Sequence, residues 1–331
     1  MASKAVAIDA MSGDFGPCVI VPSTMDYLRD HADQSVILVG DNSRIAPLVP
    51  RHFSGRVTVV HTTDVVGMDE KPAVALRSRK PSSMRLAIDL VKSGEAGACV
   101  SAGNTGALTA IARHLLRTIH GVDRPAICGA VPSLESHSYL LDMGANVDCD
   151  AEQLLQFARM ATVLVRAIDG KESPTVALLN NGEESIKGNR QVREAAELLG
   201  KQQGIHYIGY LEGHKIYEAA ADIIVCDGFV GNVALKASEG VAKYVIDKIK
   251  QQISADPISR FLAIFAMLEL RRIKEKVDPR RFNGASLLGL RGVVVKSHGH
   301  ADREAFYFAI HHAAQMMSAD IVQRLDVEFG C

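Results

Sequence analysis

Apolar and polar positions along the chain fall into two alternating patterns. Short apolar runs bounded by Gly, Asp, Asn, Ser or Thr predict strands over Ala5–Ala10, Ser35–Gly40, Val57–Thr62, Ala98–Ser101, Ala126–Val131, Tyr139–Met143, Thr175–Leu179 and Asp222–Cys226. Longer stretches with apolar residues every three or four positions predict helices over Ala151–Ile168, Gln191–Leu199, Val233–Ile253 and Arg303–Leu325. Each is entered beside an Asp or Asn suited to capping, at Asp148, Asn189, Asn232 and Asp302. Strands alternating with helices predict an α/β protein around a largely parallel sheet. No repeat or low-complexity linker interrupts the pattern, so residues 1–331 are expected to form a single α/β unit.

One segment breaks the alternation. After Asp256 and Pro257 the chain is apolar nearly all round, through Phe261, Leu262 and Phe265, and then turns basic at Arg271, Arg272, Lys274 and Lys276. It is too short for a bilayer span of about 20 residues. We expect an inserted helical segment over 255–281 that meets a second subunit, a partner protein or a membrane surface, where basic residues near an anionic leaflet contribute about 1 kcal/mol each.

Three glycine-asparagine turns follow strand-like runs: Gly103-Asn104-Thr105-Gly106, Gly188-Asn189 and Gly231-Asn232. The first is the sharpest, because Ser101 closes a strand and an Ala-rich helical pattern opens at Ala107. Such a turn presents backbone N–H groups to an anion, with Ser101, Asn104 and Thr105 as added donors. A single turn of this kind reads equally as an ordinary strand ending. Three together, in a fold that gathers ligands at the carboxyl ends of its strands, favour one small-anion site of phosphate size.

Lys187 precedes the second turn and offers a mobile positive charge to a phosphate or a developing oxyanion; beside Glu183 and Glu184 it reads equally as a solvated surface lysine. Asn232 at the third turn suits either a helix cap or a ligand donor. His298, after the apolar run Val293–Val295, can serve as acid, base or donor. His300 and Asp302 form too small a set for a metal site. Asp9 and Asp14, around the turn that ends the first strand, either position donors or cap.

Composition removes several function classes. The formal net charge of −1, without Lys and Arg runs interleaved with aromatics, argues against nucleic acid. The six cysteines stand singly, without metal-ligand spacing, and three of them lie in apolar runs, so reduced thiols and no metal are expected. An acidic residue as early as Asp9 argues against a signal peptide, and a cytoplasmic location is expected.

Six ordered blocks carry a family resemblance: Asp9–Asp14, Ser101–Ala107, Leu140–Asn146, Gly182–Asn189, Asp227–Val233 and Gly284–Gly289. They closely resemble the bacterial phosphate acyltransferase family of phospholipid synthesis, over nearly the whole chain. Ser12, Asn181 and His300 depart from that pattern, standing where glycine, an apolar residue and a small residue are usual. The resemblance implies transfer of a long fatty acyl group from acyl carrier protein to inorganic phosphate, with the acyl phosphate used for glycerol-3-phosphate acylation. It also implies no cofactor and a three-layer αβα fold similar to that of phosphotransacetylases and isocitrate dehydrogenases. A homodimer is implied as well, working at the inner face of the membrane beside a glycerol-3-phosphate acyltransferase.

Under that resemblance the Ser101–Gly106 turn cradles phosphate, with Asp9, Asp14, Asn189 and Gly231 around the substrates. Lys187 neutralises phosphate or oxyanion charge, Asn232 donates to the acyl carbonyl, and His298 is an optional proton donor to the leaving thiol. Phe261, Leu262, Phe265, Arg271 and Arg272 are the carrier or membrane contacts. Two other readings remain: a short-chain phosphotransacetylase using coenzyme A, and a scaffold that binds the acidic carrier without catalysis. A scaffold has no need of the glycine-asparagine turns. A dehydrogenase lacks the expected Gly-x-Gly-x-x-Gly fingerprint.

Overall fold

A computed structural model describes residues 4–134, 136–255 and 278–330. Eleven strands form one sheet in the order β3-β2-β1-β4-β11-β10-β5-β6-β9-β7-β8. They are β1 (Ala5–Asp9), β2 (Val36–Gly40), β3 (Val57–His61), β4 (Ala96–Ser101), β5 (Ala126–Pro132), β6 (His137–Leu141), β7 (Thr175–Asn180), β8 (His206–Glu212), β9 (Ile223–Val225), β10 (Ala285–Leu288) and β11 (Val293–Lys296). The first five in spatial order run parallel, as do the last four. Between the two blocks β10 and β5 pair antiparallel with their neighbours, which reverses the direction of the second block. The expected parallel sheet is therefore two parallel halves of opposite sense.

Period-2 alternation sends side chains to the two faces. Val6, Ile8, Leu38, Val100 and Val295 pack on one face against helix α1 (Pro17–Asp30) and a C-terminal helix over Arg303–Ser318, and Leu141, Leu178 and Val225 of the second half are covered by α6 (Ala151–Ile168). Ala7, Val39, Cys99 and Val294 face the other way, onto α4 (Ser83–Ser93) and α5 (Thr105–Leu116). The result is three layers, helix on sheet on helix. Two short helices lie between α1 and α4, α2 (Asn42–Ile45) and α3 (Pro72–Ser78).

The helices that end the chain differ in two ways from the periodicity. The predicted 303–325 helix is two helices, α9 (Arg303–Ser318) and α10 (Ile321–Phe329), broken at Asp320 with φ 50°. A non-glycine residue in the left-handed region cannot continue a right-handed helix. The amphipathic stripe reads through the break because both helices bury one side. Helix α7 (Arg190–Lys201) starts at Asn189 as expected, whereas α6 is capped by Asp150, not Asp148, with Gln153 completing a capping box.

Helix α8 (Gly228–Ala255) begins a turn earlier than its periodicity predicts. Asp227 Oδ1 accepts from the Val230 N–H at 2.8 Å and so caps the helix. Asn232 thus lies inside the first turns, relieved of the capping role. Of the 255–281 segment, residues 256–277 lie outside the described residues, and with them Phe261, Leu262, Phe265, Arg271 and Arg272.

Four cysteines, Cys99, Cys128, Cys149 and Cys226, are buried, and Cys18 is exposed. Burial pushes the Cys128 and Cys226 thiols far above their usual range, so they pack as small hydrophobes, not as nucleophiles.

Candidate functional site

Three loops meet at the carboxyl ends of β1, β4 and β11. Asp9, buried at the end of β1, accepts from the Ser101 hydroxyl at 2.7 Å. Burial raises its carboxyl above the ordinary value, and hydrogen bonds offset part of the rise. Ser12 donates to the Asp9 carbonyl at 2.9 Å and accepts the Ala102 N–H at 2.9 Å, while Gly103 N–H goes to Ser101 Oγ at 3.1 Å. A Cβ on Gly103 would come within 2.5 Å of Met84 Cε, so only glycine fits this packing without displacement.

These contacts revise which donors of the turn are free. Ala102 and Gly103 N–H groups are engaged by hydroxyls. Asn104 caps α5 through Ala107 N–H at 3.0 Å, and its amide donates to the Met68 and Glu70 carbonyls at 2.6 and 2.9 Å. Its side chain therefore clamps the 67–70 loop. What the turn can offer an anion is the first-turn N–H groups of Thr105 and Gly106, which have no carbonyl partner within the helix. Asp14 bonds through its N–H to Gly299 O at 3.0 Å and pairs with the His300 ring, tying the first loop to the last. Asp9 and Asp14 thus hold the loops together.

The opposite wall is organised by Asp142, a buried carboxylate between β6 and β9 that the sequence reading did not select. Its Oδ1 accepts from the Ile127, Gly144 and Ala145 N–H groups at 2.9, 3.1 and 3.0 Å. Its Oδ2 accepts from Asn146 N–H and Nδ2 at 2.7 and 2.9 Å. The loop so fixed packs on the start of α8: Gly228 N–H reaches Asn146 O at 2.8 Å, and Gly144 lies against Asn232. Among the described residues the Asn232 amide makes no hydrogen bond, and it faces a cleft.

That cleft, about 1180 Å³, joins the two walls over a floor of β5 and β10 backbone. Thr105, Asn232 and His298 all line it, so the first turn, the third turn and the histidine loop converge. Gly129, Ala130, Gly284 and Ala285 give a floor of small residues, while Ile127, Val131, Met143, Leu235, Val241 and Phe282 supply apolar surface. Gly231 is buried in the first turn of α8. Among the described residues no group of His, Cys, Asp and Glu is suited to hold a metal.

His298 accepts the His300 N–H at Nδ1, 3.2 Å away, which places its ring proton on Nε2. Burial lowers its affinity for a second proton, against the opposing pull of Glu239. It therefore presents a neutral N–H donor to the cleft. Lys187 does not line the cleft. It stands exposed in the 181–189 loop, whose own bonds run from Lys187 N–H to Glu184 O at 3.0 Å and from Gly188 N–H to Asn181 Oδ1 at 3.0 Å. Asn189 caps α7, and Gln191 Nε2 bonds Asp227 Oδ2 at 2.8 Å, which ties that loop to the α8 start without carrying Lys187 inward.

The lysines that do line the cleft are Lys236 and Lys296, neither chosen from the sequence. The signal for Lys296 was present: a lysine closing the run Val293–Val295, next to the selected His298. Lys236 is one turn beyond Asn232 on α8, on the same side.

Residues 4–324 match the family model described as fatty acid synthesis protein. A phosphate acyltransferase of Methylococcus capsulatus is 51% identical over 323 residues, covering 97% of this chain and 95% of the relative. One from Pseudomonas aeruginosa is 49% identical, covering 98% and 97%. Among solved structures, a phosphotransacetylase from Streptococcus pyogenes aligns with a TM-score of 0.63 at 17% identity, covering 95% of this chain and 94% of that one. A branched-chain phosphotransacylase from Enterococcus faecalis aligns with a TM-score of 0.58 at 15% identity, covering 94% and 99%. At such identities the structural likeness speaks for the fold alone.

Proposed function

The chain belongs to the phosphate acyltransferase family, and from that premise we propose that its cleft transfers a long-chain fatty acyl group from acyl carrier protein to inorganic phosphate. A phosphate oxygen adds to the thioester carbonyl carbon, forming the C–O bond and an oxyanion; collapse of that adduct breaks the C–S bond, and the phosphate hydroxyl proton goes to the departing thiolate. The thioester arrives activated and phosphate is itself the nucleophile, so no covalent enzyme intermediate is needed. The protein contributes position and electrostatics.

The convergence of Thr105, Asn232 and His298 on one cleft carries this reading. Asn232, free of other hydrogen bonds among the described residues, donates to the carbonyl oxygen as it becomes an oxyanion. In this reading His298 Nε2–H, which lies 3.8 Å from Glu239 Oε1, turns to donate to phosphate or to the leaving sulfur. The first-turn N–H groups of α5 face the phosphate end. Lys187 joins them only if the 181–189 loop moves inward or the substrate extends past Asn232 to reach it. The apolar lining accepts the start of an acyl chain.

The test is phosphate-dependent thiol release from a long-chain acyl-carrier thioester, with hydroxylamine trapping acyl phosphate as its hydroxamate. Trapped product supports the reaction. Release only from short-chain acyl coenzyme A would favour a short-chain phosphotransacetylase instead, and tight carrier binding without turnover a scaffold.

A homodimer belongs to the same proposal. Along α8, Val241, Tyr244, Val245, Ile246 and Ile249 are between 46% and 63% exposed, an apolar surface that a second copy would cover. Among the described residues no helix is long and apolar enough to cross a membrane. Peripheral contact with the inner face of the membrane, through Phe261, Leu262, Phe265, Arg271 and Arg272, would bring product to a membrane glycerol-3-phosphate acyltransferase.

A further inference from the structure

We propose that Lys296, assisted by Lys236 from across the cleft, is the cationic anchor for inorganic phosphate. The inference rests on the phosphate acyltransferase reading and names the group that holds its acceptor substrate.

Strand register places Lys296 beside the anion-binding turn. It closes β11, pairs with Ser101 of β4 on one side and with Ala285 of β10 on the other, and the following Ser297 N–H bonds Ser101 O at 2.9 Å. The ammonium donates to the Ala102 carbonyl at 3.3 Å and to the Ser297 carbonyl. Two of its three N–H groups are thereby aimed, and no carboxylate pairs with it among the described residues. Asn283 locks the loop beneath it, donating to Ser297 Oγ at 2.8 Å and accepting His298 N–H at 2.9 Å.

A second cation lines the same cleft. Among the described residues Lys236 pairs only with exposed Glu239, at 2.8 Å, and its charge repels that of Lys296. Burial chiefly, and this repulsion next, lower the Lys296 ammonium to about 8, while Asp9 at the end of β1 acts the other way. A cleft that holds two like charges close enough to repel is relieved by an anion between them. A dianionic phosphate suits that position better than an acyl carboxylate or a neutral thioester. The remaining charged or titratable groups that line the cleft are Glu239 on α8, His214 and Tyr217, Arg280, whose charge is met by Asp278, Asp302 and Glu304, and His298, His300 and Asp302 in the last loop, with Asp14 against His300.

The experiment measures the phosphate KM, the carrier-thioester KM and kcat for Lys296→Met, Lys296→Arg and Lys236→Met. Lys296→Met is expected to raise the phosphate KM by about 10- to 100-fold, the loss typical of a charged hydrogen bond, with the carrier KM unchanged. Lys296→Arg restores most of the affinity. In the wild type, phosphate affinity falls as pH rises through about 8, because the neutral amine no longer attracts the anion; arginine, charged at all these pH values, abolishes that limb. Should Lys296→Met fail to fold, Lys296→Arg and the exposed Lys236→Met decide, the latter by a severalfold rise in phosphate KM. An unchanged phosphate KM in folded Lys296→Met, or an alkaline limb that survives in Lys296→Arg, overturns the proposal. Wild-type enzyme that forms no hydroxamate defeats the functional reading instead, so the two failures are distinct.

Discussion

Replacing Gly228 by alanine tests whether the loop built on Asp142 sets the position of Asn232. A Cβ at 228 would lie 2.6 Å from the Asn146 carbonyl oxygen and 2.9 Å from both Asp142 Oδ2 and Gly144 Cα. The nearest of these is about 0.8 Å inside the 3.4 Å at which ordinary contact begins, and two of the three are backbone atoms that cannot swing aside. The first turn of α8 must retreat, stretching the 2.8 Å bond from Gly228 N–H to Asn146 O. Asn232 sits one turn further along the same helix. A displacement approaching 1 Å at a positioning group costs about 10²-fold in rate. The overpacking itself costs about 1–3 kcal/mol, which leaves the protein folded. Gly240→Ala is the control, since a Cβ there meets nothing within 4 Å and alanine is favoured over glycine in a helix by about 0.5–1 kcal/mol. The assay is the initial rate of hydroxamate formation at saturating donor and phosphate, with thermal unfolding in parallel. We expect Gly228→Ala to lose about 10²-fold in kcat at a slightly lowered melting temperature, and Gly240→Ala to match the wild type or melt later. A Gly228→Ala enzyme within twofold of wild-type kcat would refute the link between loop packing and catalysis.

Asn232→Ala should lower kcat by about 10²- to 10³-fold, as for loss of one oxyanion donor, without altering the melting temperature. Lys187→Ala should lose as much if the loop closes over bound substrate; single-turnover rates near wild type would remove Lys187 from the mechanism. His312 is half-buried, its ring against Ser286 Oγ at 2.7 Å, and desolvation, then His311, lower its proton affinity to about pH 4. Its folded value lies below the unfolded one, so the stability it contributes is complete above about pH 6.5 and is lost as pH falls toward 4, by about 1.4 kcal/mol per unit. Urea unfolding at stepped pH should show that slope, and His312→Gln should flatten it. Val245→Asp with Ile249→Asp should convert a dimer to a monomer in light scattering; an unchanged mass would exclude α8 as the interface.

Much of the fold was readable because continuous apolar runs such as Ala5–Asp9 and Thr175–Asn180 sit between turn residues and are buried on both faces. Strand β8 was not read, since its pattern over His206–Glu212 carries exposed and half-exposed positions at the sheet edge. The reversed direction of the second half was equally invisible, because β10 is only four residues long and its pairing with β5 joins positions more than 150 residues apart. Local pattern carries no information about such a pairing.

The candidate site divides along the same line. Glycine-asparagine motifs point to Thr105 and Asn232, both of which line the cleft, because a turn that opens a helix is a local feature. The role of each side chain was set by tertiary neighbours. Asn104 and Asn232 look alike in sequence, yet Asn104 is spent on Ala107, Met68 and Glu70, whereas Asp227 takes the cap of α8 and leaves Asn232 free. Lysine selection went the same way. Lys187 beside a glycine looked more suggestive than Lys296 at the end of a valine run, but strand register brings Lys296 to Ser101.

Register also explains how a sheet of two opposed halves makes one cleft. Strands β4 and β11 end at Ser101 and Lys296, which pair with each other, and Lys296 pairs with Ala285. The adjacent Ser286 pairs with Cys128, and the next residue, Gly129, pairs with Leu140 at the end of β6. Leu141 in turn pairs with Val225, the last residue of β9. The carboxyl ends of the two halves thus arrive within a residue or so of the same level, from opposite directions. In a wholly parallel sheet they would share one edge, and the ligand would sit outside it. Here they face one another across β10 and β5, where Gly129, Ala130 and Ala285 leave the sheet surface open. A Cβ on Gly129 would come within 2.5 Å of Met143 Sδ, so even the smallest addition to that floor pushes on the loop that carries Asp142. Under the proposed function one half builds the phosphate end and the other the acyl end, so the bond between them forms where the two directions meet.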